Sequence, residues 1–227
     1  MLIAEIFHSI QGEGGLVGMP SAFVRTSGCN LRCGFCDTPY TSWQPEGTEL
    51  SVAAILAQLE PMPTRHVVVT GGEPLLAADV GELCAALRAG GWHITIETAA
   101  TIAKEVVADL MSLSPKLANS TPWERDTRWA ALHEQRRLNL DAIRFLMGLA
   151  DYQFKFVIDQ PGDTAEVLAL LEQLPEVDRA KVLLMPQATT PTELAEKSTW
   201  LSAECLRLGL RFGPRLHLQL FGHRRGT

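Results

Sequence analysis

Cys29, Cys33 and Cys36 fall in one glycine-bounded run, GCNLRCGFCDT, at a CxxxCxxC spacing. A cubane iron-sulfur cluster normally takes four thiolates, so three leave one iron open to a further ligand and hence to chemistry. Two other readings compete for the same loop. A structural zinc site wants four ligands, often with a second Cys or His pair. No such pair occurs here, and His8 and His66, which would have to complete a tetrahedron, lie near strands and are not suitably spaced. A plain electron-transfer ferredoxin usually shows a fourth cysteine in its signature and needs no two-hundred-residue α/β scaffold.

Two further runs have chemical potential. TGGEP, Thr70 to Pro74, follows a β-branched stretch; glycines there let a ligand lie against backbone N–H and C=O groups able to hold an amino-acid moiety. By itself the run signals only a tight turn. SIQGEG near the N-terminus, followed by Arg25 in FVRTSGC, offers a different set. Gln11 both donates and accepts, Glu13 accepts, and the Arg25 fork matches a carboxylate bidentately, tools suited to a flat heterocycle with an amide-like edge and an acid. IET at 96–98 and SPK at 114–116 follow later strands and would bring Glu97, Ser114 and Lys116 to the same rim; without the first two motifs they read equally as ordinary strand-end polar residues.

The elements that must position these residues are short β-branched or apolar runs at 20–26, 66–70, 93–98, 153–159, 181–186 and 215–221. Between most of them lie segments of helical period: SVAAILAQLE with Ser51 as N-cap, DVGELCAALRAG ending in Gly90 and Gly91, and DTAEVLALLEQL. Strand-helix repetition predicts an α/β fold, a partial, open β/α barrel of about six parallel strands. Its site lies at the C-terminal strand ends, where the cysteine loop follows the strand ending at Thr26. Residues 120–149 break the pattern: charge-rich with apolar residues at helical intervals, they read as one or two inserted amphipathic helices, a solvated pair covering an edge of the sheet in preference to a lid or dimer arm. No linker or repeat divides the chain, so 1–227 reads as a single domain.

With 46% hydrophobic and 20% charged residues the chain has material for a compact core. A net charge of −6 argues against a general nucleic-acid binder, and the absence of a basic leader or of a ~20-residue apolar run argues against export and a membrane span. Clustered thiols suit a reducing compartment, so a cytoplasmic protein is expected. Cys84 and Cys205 sit among apolar residues at helical spacing and read as small buried hydrophobes.

Taken in order, QGEG, an arginine before the Ser-Gly-Cys of the cysteine loop, CxxxCxxCDT, TGGEP, IET and SPK resemble the 7-carboxy-7-deazaguanine synthase family of the radical S-adenosylmethionine (SAM) superfamily, over nearly the whole chain. The resemblance implies a magnesium-dependent carbon-nitrogen lyase of queuosine and 7-deazapurine biosynthesis. It would convert 6-carboxy-5,6,7,8-tetrahydropterin to 7-carboxy-7-deazaguanine plus ammonia, using a 4Fe-4S cluster, SAM and Mg2+. It also implies an external electron donor of flavodoxin or ferredoxin type and a homodimer.

Carried over residue by residue, Cys29, Cys33 and Cys36 hold the cluster and Thr38 ligates magnesium. Phe35, Asp37, Gly72, Glu97, Ser114, Pro115, Lys116 and Gln187 contact SAM. Ile10, Gln11, Gly12, Glu13, Arg25, Thr70 and the terminal Thr227 bind the pterin. The resemblance nominates no protein side chain as a catalytic acid or base. This chain departs from the family in Ala99 after IET, where many relatives carry asparagine or a small polar residue, and in its end, FGHRRGT. His217, Gln219, His223 and Arg225 are candidates for closing over the pterin, against the alternative of a solvent-exposed basic tail. A glycyl-radical activase, and a non-enzymatic iron-sulfur carrier or zinc module, are the competing functions; the first usually lacks the CDT continuation and the upstream QGEG.

Overall fold

A computed structural model describes residues 1–227. The strands are β1 (Leu2–Ile10), β2 (Pro20–Thr26), β3 (Thr48–Glu49), β4 (His66–Gly71), β5 (His93–Thr98), β6 (Leu110–Leu113), β7 (Asp151–Ile158), β8 (Val182–Pro186) and β9 (Arg211–Phe212). The helices are α1 (Pro39–Ser42), α2 (Val52–Leu59), α3 (Val80–Ala89), α4 (Thr127–Arg136), α5 (Leu140–Met147), α6 (Asp163–Gln173), α7 (Pro191–Leu208) and α8 (Leu216–Phe221). They form one sheet in the order β3-β1-β2-β4-β5-β6-β7-β8-β9. β1 runs antiparallel to both its neighbours, and from β2 to β9 every pairing is parallel. The α/β expectation of an open parallel barrel holds.

Side-chain alternation gives the sheet two unlike faces. Val24, Val69, Ile96, Phe154 and Phe156 point into an apolar core of 35 buried residues. Their strand neighbours Arg25, Thr70, Glu97 and Lys155 line cavities on the other face. Cys84 and Cys205 belong to the core. Helix ends follow local chemistry: the Ser51 hydroxyl accepts from Ala54 N at 3.2 Å to cap α2, and Thr190 and Glu193 form a capping box on α7.

Two expectations change. The run at 215–221 alternates like a strand but forms α8, and the last strand is Arg211–Phe212. Arg215 is buried in ion pairs with Glu13 and Asp37, and Leu216 N–H donates to Gly12 O at 2.8 Å; these anchors turn the segment across the sheet's rim. The 120–149 segment makes the two helices α4 and α5, but they cross between β6 and β7, in the middle of the sheet order rather than at an edge.

Candidate active site

Beyond β2 the chain turns through Gly28, whose φ of +103° lies in the left-handed region that favours glycine. Gly28 N–H donates to Thr41 O at 2.8 Å, and Glu73 N–H donates to Gly28 O at 2.9 Å, so the cysteine loop and the GGE turn are laced together. A Cβ on Gly72 would lie 2.1 Å from Gly28 O, which requires glycine there on packing grounds alone. Glu73 is buried and takes bonds from Thr98 Oγ1 at 2.8 Å, Ala99 N at 2.9 Å and Leu75 N at 3.1 Å. Burial pushes its carboxyl up despite these donors. The GGEP acid is thus the suture between the ends of β4 and β5, a role the sequence did not disclose. Ala99 offers no side-chain polar group, and the neighbouring link from cysteine loop to β5 end is made by Asn30 Nδ2 to Thr101 Oγ1 at 3.0 Å.

The three cysteines line one cavity of about 180 Å³. Leu31 N–H donates to Cys29 Sγ at 3.4 Å, and the Ser42 hydroxyl lies 3.3 Å from Cys36 Sγ. Burial pushes the Cys29 thiol up to about 11 and the Cys33 thiol to about 12, so a cluster must displace protons to bind. No three Cys, His, Asp or Glu side chains converge as a single-ion site; a cubane makes no such demand, since each thiolate goes to its own iron. His8 is exposed on β1, and His66, at the start of β4, packs on His93 with ring centroids 4.8 Å apart, at the end of the strand away from the loop. The donor set therefore fits an iron-sulfur cluster and not the zinc tetrahedron.

The remaining candidates sort into two joined cavities. Phe35, Asp37, Gly72, Glu97, Ser114, Lys116 and Gln187 share the cysteine cavity; Pro115 is buried outside its lining. Lys116 Nζ folds back to Ser114 Oγ at 2.7 Å, and Gln187 Oε1 accepts from Lys197 at 3.1 Å. Ile10, Gln11, Gly12, Glu13, Arg25, Thr70 and Thr227 all line the second cavity, of about 370 Å³. Glu13, Asp37, Thr38, Thr70, Gly71 and Glu97 belong to both linings and form the wall between them. Thr38 occupies the N-cap position of α1, yet its side chain makes no capping bond, which leaves a hard oxygen at this wall suited to a magnesium ion.

Sequence reading missed the two cations that organise this wall. Lys155 is 3% exposed and donates to Glu97 Oε1 at 2.8 Å and Glu13 Oε2 at 3.0 Å. Arg215 is 7% exposed and donates to Glu13 Oε1 at 3.0 Å, Asp37 Oδ2 at 2.9 Å and Ala188 O at 2.8 Å. Burial alone would raise the Glu13 carboxyl, but Lys155 and Arg215 outweigh it and hold it well below the usual carboxylate range. Burial likewise opposes the charge on Lys155, and Glu97 and Glu13 overcome it, holding its ammonium above the ordinary lysine range. Thr70 Oγ1 donates to Glu97 Oε2 at 3.0 Å, completing the chain Asp37–Arg215–Glu13–Lys155–Glu97.

Arg25 Nε donates to Glu5 Oε1 at 2.6 Å, and no other Arg25 nitrogen has a protein partner, so its terminal nitrogens remain for a ligand. His217 sits where a Cβ on Gly12 would collide at 2.1 Å; burial pushes its pKa down against the pull of the nearby Glu13. His217, His223 and Arg225 line the larger cavity and Gln219 does not. The chain end is no free basic tail: His223 Nε2 lies 2.9 Å from Asp37 O, and Arg225 stacks 3.5 Å over Tyr40 and pairs with Glu46 at 3.0 Å.

A parallel sheet carrying a three-thiol loop beyond β2, beside a glycine turn beyond β4, defines a radical SAM protein, and residues 23–119 match the radical SAM superfamily. QueE from Escherichia coli shares the fold, with a TM-score of 0.72 at 22% identity, covering 95% of this chain and 94% of that one. The 7-carboxy-7-deazaguanine synthase of Rhodopirellula baltica is 44% identical over 100% of this chain and 89% of its own. That of Halobacterium salinarum is 43% identical over 96% and 90%. The chain belongs to the 7-carboxy-7-deazaguanine synthase family.

Proposed function

We propose that this protein converts 6-carboxy-5,6,7,8-tetrahydropterin into 7-carboxy-7-deazaguanine with release of ammonia, a step toward queuosine and other 7-deazapurines. The observation that carries the reading is the pair of joined cavities: thiols and the SAM candidates on one side, the pterin candidates on the other, one shared wall between. When bound, the cluster and SAM supply one-electron cleavage of SAM and a hydrogen-abstracting radical.

The protein's own residues bind, orient and exclude water. Arg25 takes the substrate carboxylate; Gln11, Thr70 and Glu13 take the heterocycle edge, and the chain end with Thr227 covers it. Glu97 and Asp37 reach both ligands from the wall, and Ser114, Lys116 and Gln187 hold SAM. Thr38 is assigned to magnesium because its hydroxyl lies at the junction and, though it takes a bond from Thr41 Oγ1 at 3.4 Å, keeps a lone pair for the ion. The reading includes one domain over 1–227, a homodimer, a cytoplasmic setting, and an external flavodoxin- or ferredoxin-type reductant.

Protein reconstituted without oxygen, given reductant, SAM, Mg2+ and the carboxypterin, should form the carboxydeazaguanine; an intact cluster that cleaves SAM and yields none overturns the reading. Thr38→Ala should lower turnover about tenfold or more with iron content unchanged, whereas equal loss of both contradicts the magnesium assignment.

A further inference from the structure

Residues 120–149 have no part in the reaction as described, yet their first half is tied to the cysteine loop. His133 of α4 is fully buried, and its Nδ1 accepts from Arg32 N–H at 3.2 Å, between Cys29 and Cys33. An accepting Nδ1 puts the ring proton on Nε2, which lies 2.8 Å from Ser120 Oγ; that hydroxyl donates onward to Leu117 O at 2.6 Å. Every donor in this chain of bonds has one acceptor. A second tether runs beside it: Gly34 N–H, between Cys33 and Cys36, donates to Ser120 O at 2.7 Å. The Arg32 guanidinium stacks 4.2 Å over Trp129 of the same helix and donates to Cys29 O and Leu31 O, both at 2.7 Å. Both gaps between the cysteines are thus held by the inserted segment.

We propose that His133 is a positioning residue for the iron-sulfur cluster and α4 the brace of its loop: by holding the Arg32 amide, the imidazole fixes the backbone on which the thiols hang. Amides so held are withheld from the sulfurs, and hydrogen bonds to sulfur are one of the terms that set a cluster's potential. The inference rests on cluster binding, not on the identity of the substrate.

The test compares His133→Leu, which fills the space without an acceptor, with His133→Asn, whose amide oxygen can replace Nδ1. In apo protein, amide exchange at Arg32 should rise about tenfold in the Leu variant and stay within about threefold of wild type in the Asn variant. In reconstituted protein the Leu variant should lose iron to a chelator about tenfold faster, with a shifted midpoint potential, and Asn should restore both. Wild-type exchange, iron retention and potential in the Leu variant overturn the proposal, as does an Asn variant as impaired as Leu. If the Leu variant does not fold, the Asn variant still decides: Arg32 exchange and potential must match wild type. A wild type that binds cluster but makes no carboxydeazaguanine refutes the proposed function and leaves this comparison intact.

Discussion

Lys155 is buried with a carboxylate on each side. Removing it leaves Glu13 and Glu97 facing one another across a buried site, and breaking such a pairing costs about 3–5 kcal/mol. Lys155→Met should lose stability of that order in urea unfolding, with product formation falling further than SAM cleavage; Lys155→Arg should recover part of both. His133 gives a second prediction at this scale. Burial lowers its pKa to about 4, opposed by Glu134 and reinforced by Arg137 and Lys116. The unfolded chain therefore binds more protons than the fold between pH 6.5 and about 4, so stability falls as pH drops through that window. The loss reaches about 3 kcal/mol at most; in His133→Asn the apo protein should show a flatter unfolding profile there. Lys155 was legible in QFKFVID, where a lysine alternating with two phenylalanines must face away from them. Arg215 was not, because RLHLQLF has the period of a strand and only the partners Glu13 and Asp37, far away in sequence, show otherwise.

At the level of elements, the residue capping the end of α4 also reaches the SPK loop: Arg137 Nη1 donates to Lys116 O at 3.1 Å and to Glu166 Oε1 at 2.6 Å. Arg137→Met should weaken SAM binding several-fold in equilibrium titration while leaving iron content near wild type. The chain end makes a separable contribution. Deleting residues 222–227 removes the His223 and Arg225 contacts and opens the larger cavity. That variant should raise KM for the carboxypterin about tenfold and leave SAM cleavage in place. Strands rich in valine and isoleucine were readable at 66–70 and 93–98 because their composition suits burial on a pleated face. β6, four residues long, carries too little pattern to announce itself. The placement of α4 and α5 depends on which strands they join, and no helical period encodes that.

Across the whole molecule, stability and chemistry occupy opposite faces of one sheet. The 35-residue core lies under the helices and contains none of the three clustered cysteines. Replacing Cys29, Cys33 and Cys36 together with alanine should therefore leave apo thermal unfolding within about 5 °C of wild type, while abolishing iron binding. A much larger drop would mean that the loop is part of the folding unit. The alternation that separates the two faces also limits how the gene can change. One codon added in β7 ahead of Phe154 would swing both phenylalanines into the reaction chamber and push Lys155 beneath the helices, undoing core and wall together. An added codon in a crossover disturbs neither face. Small insertions and deletions in this gene should survive selection between the strands and almost never inside them.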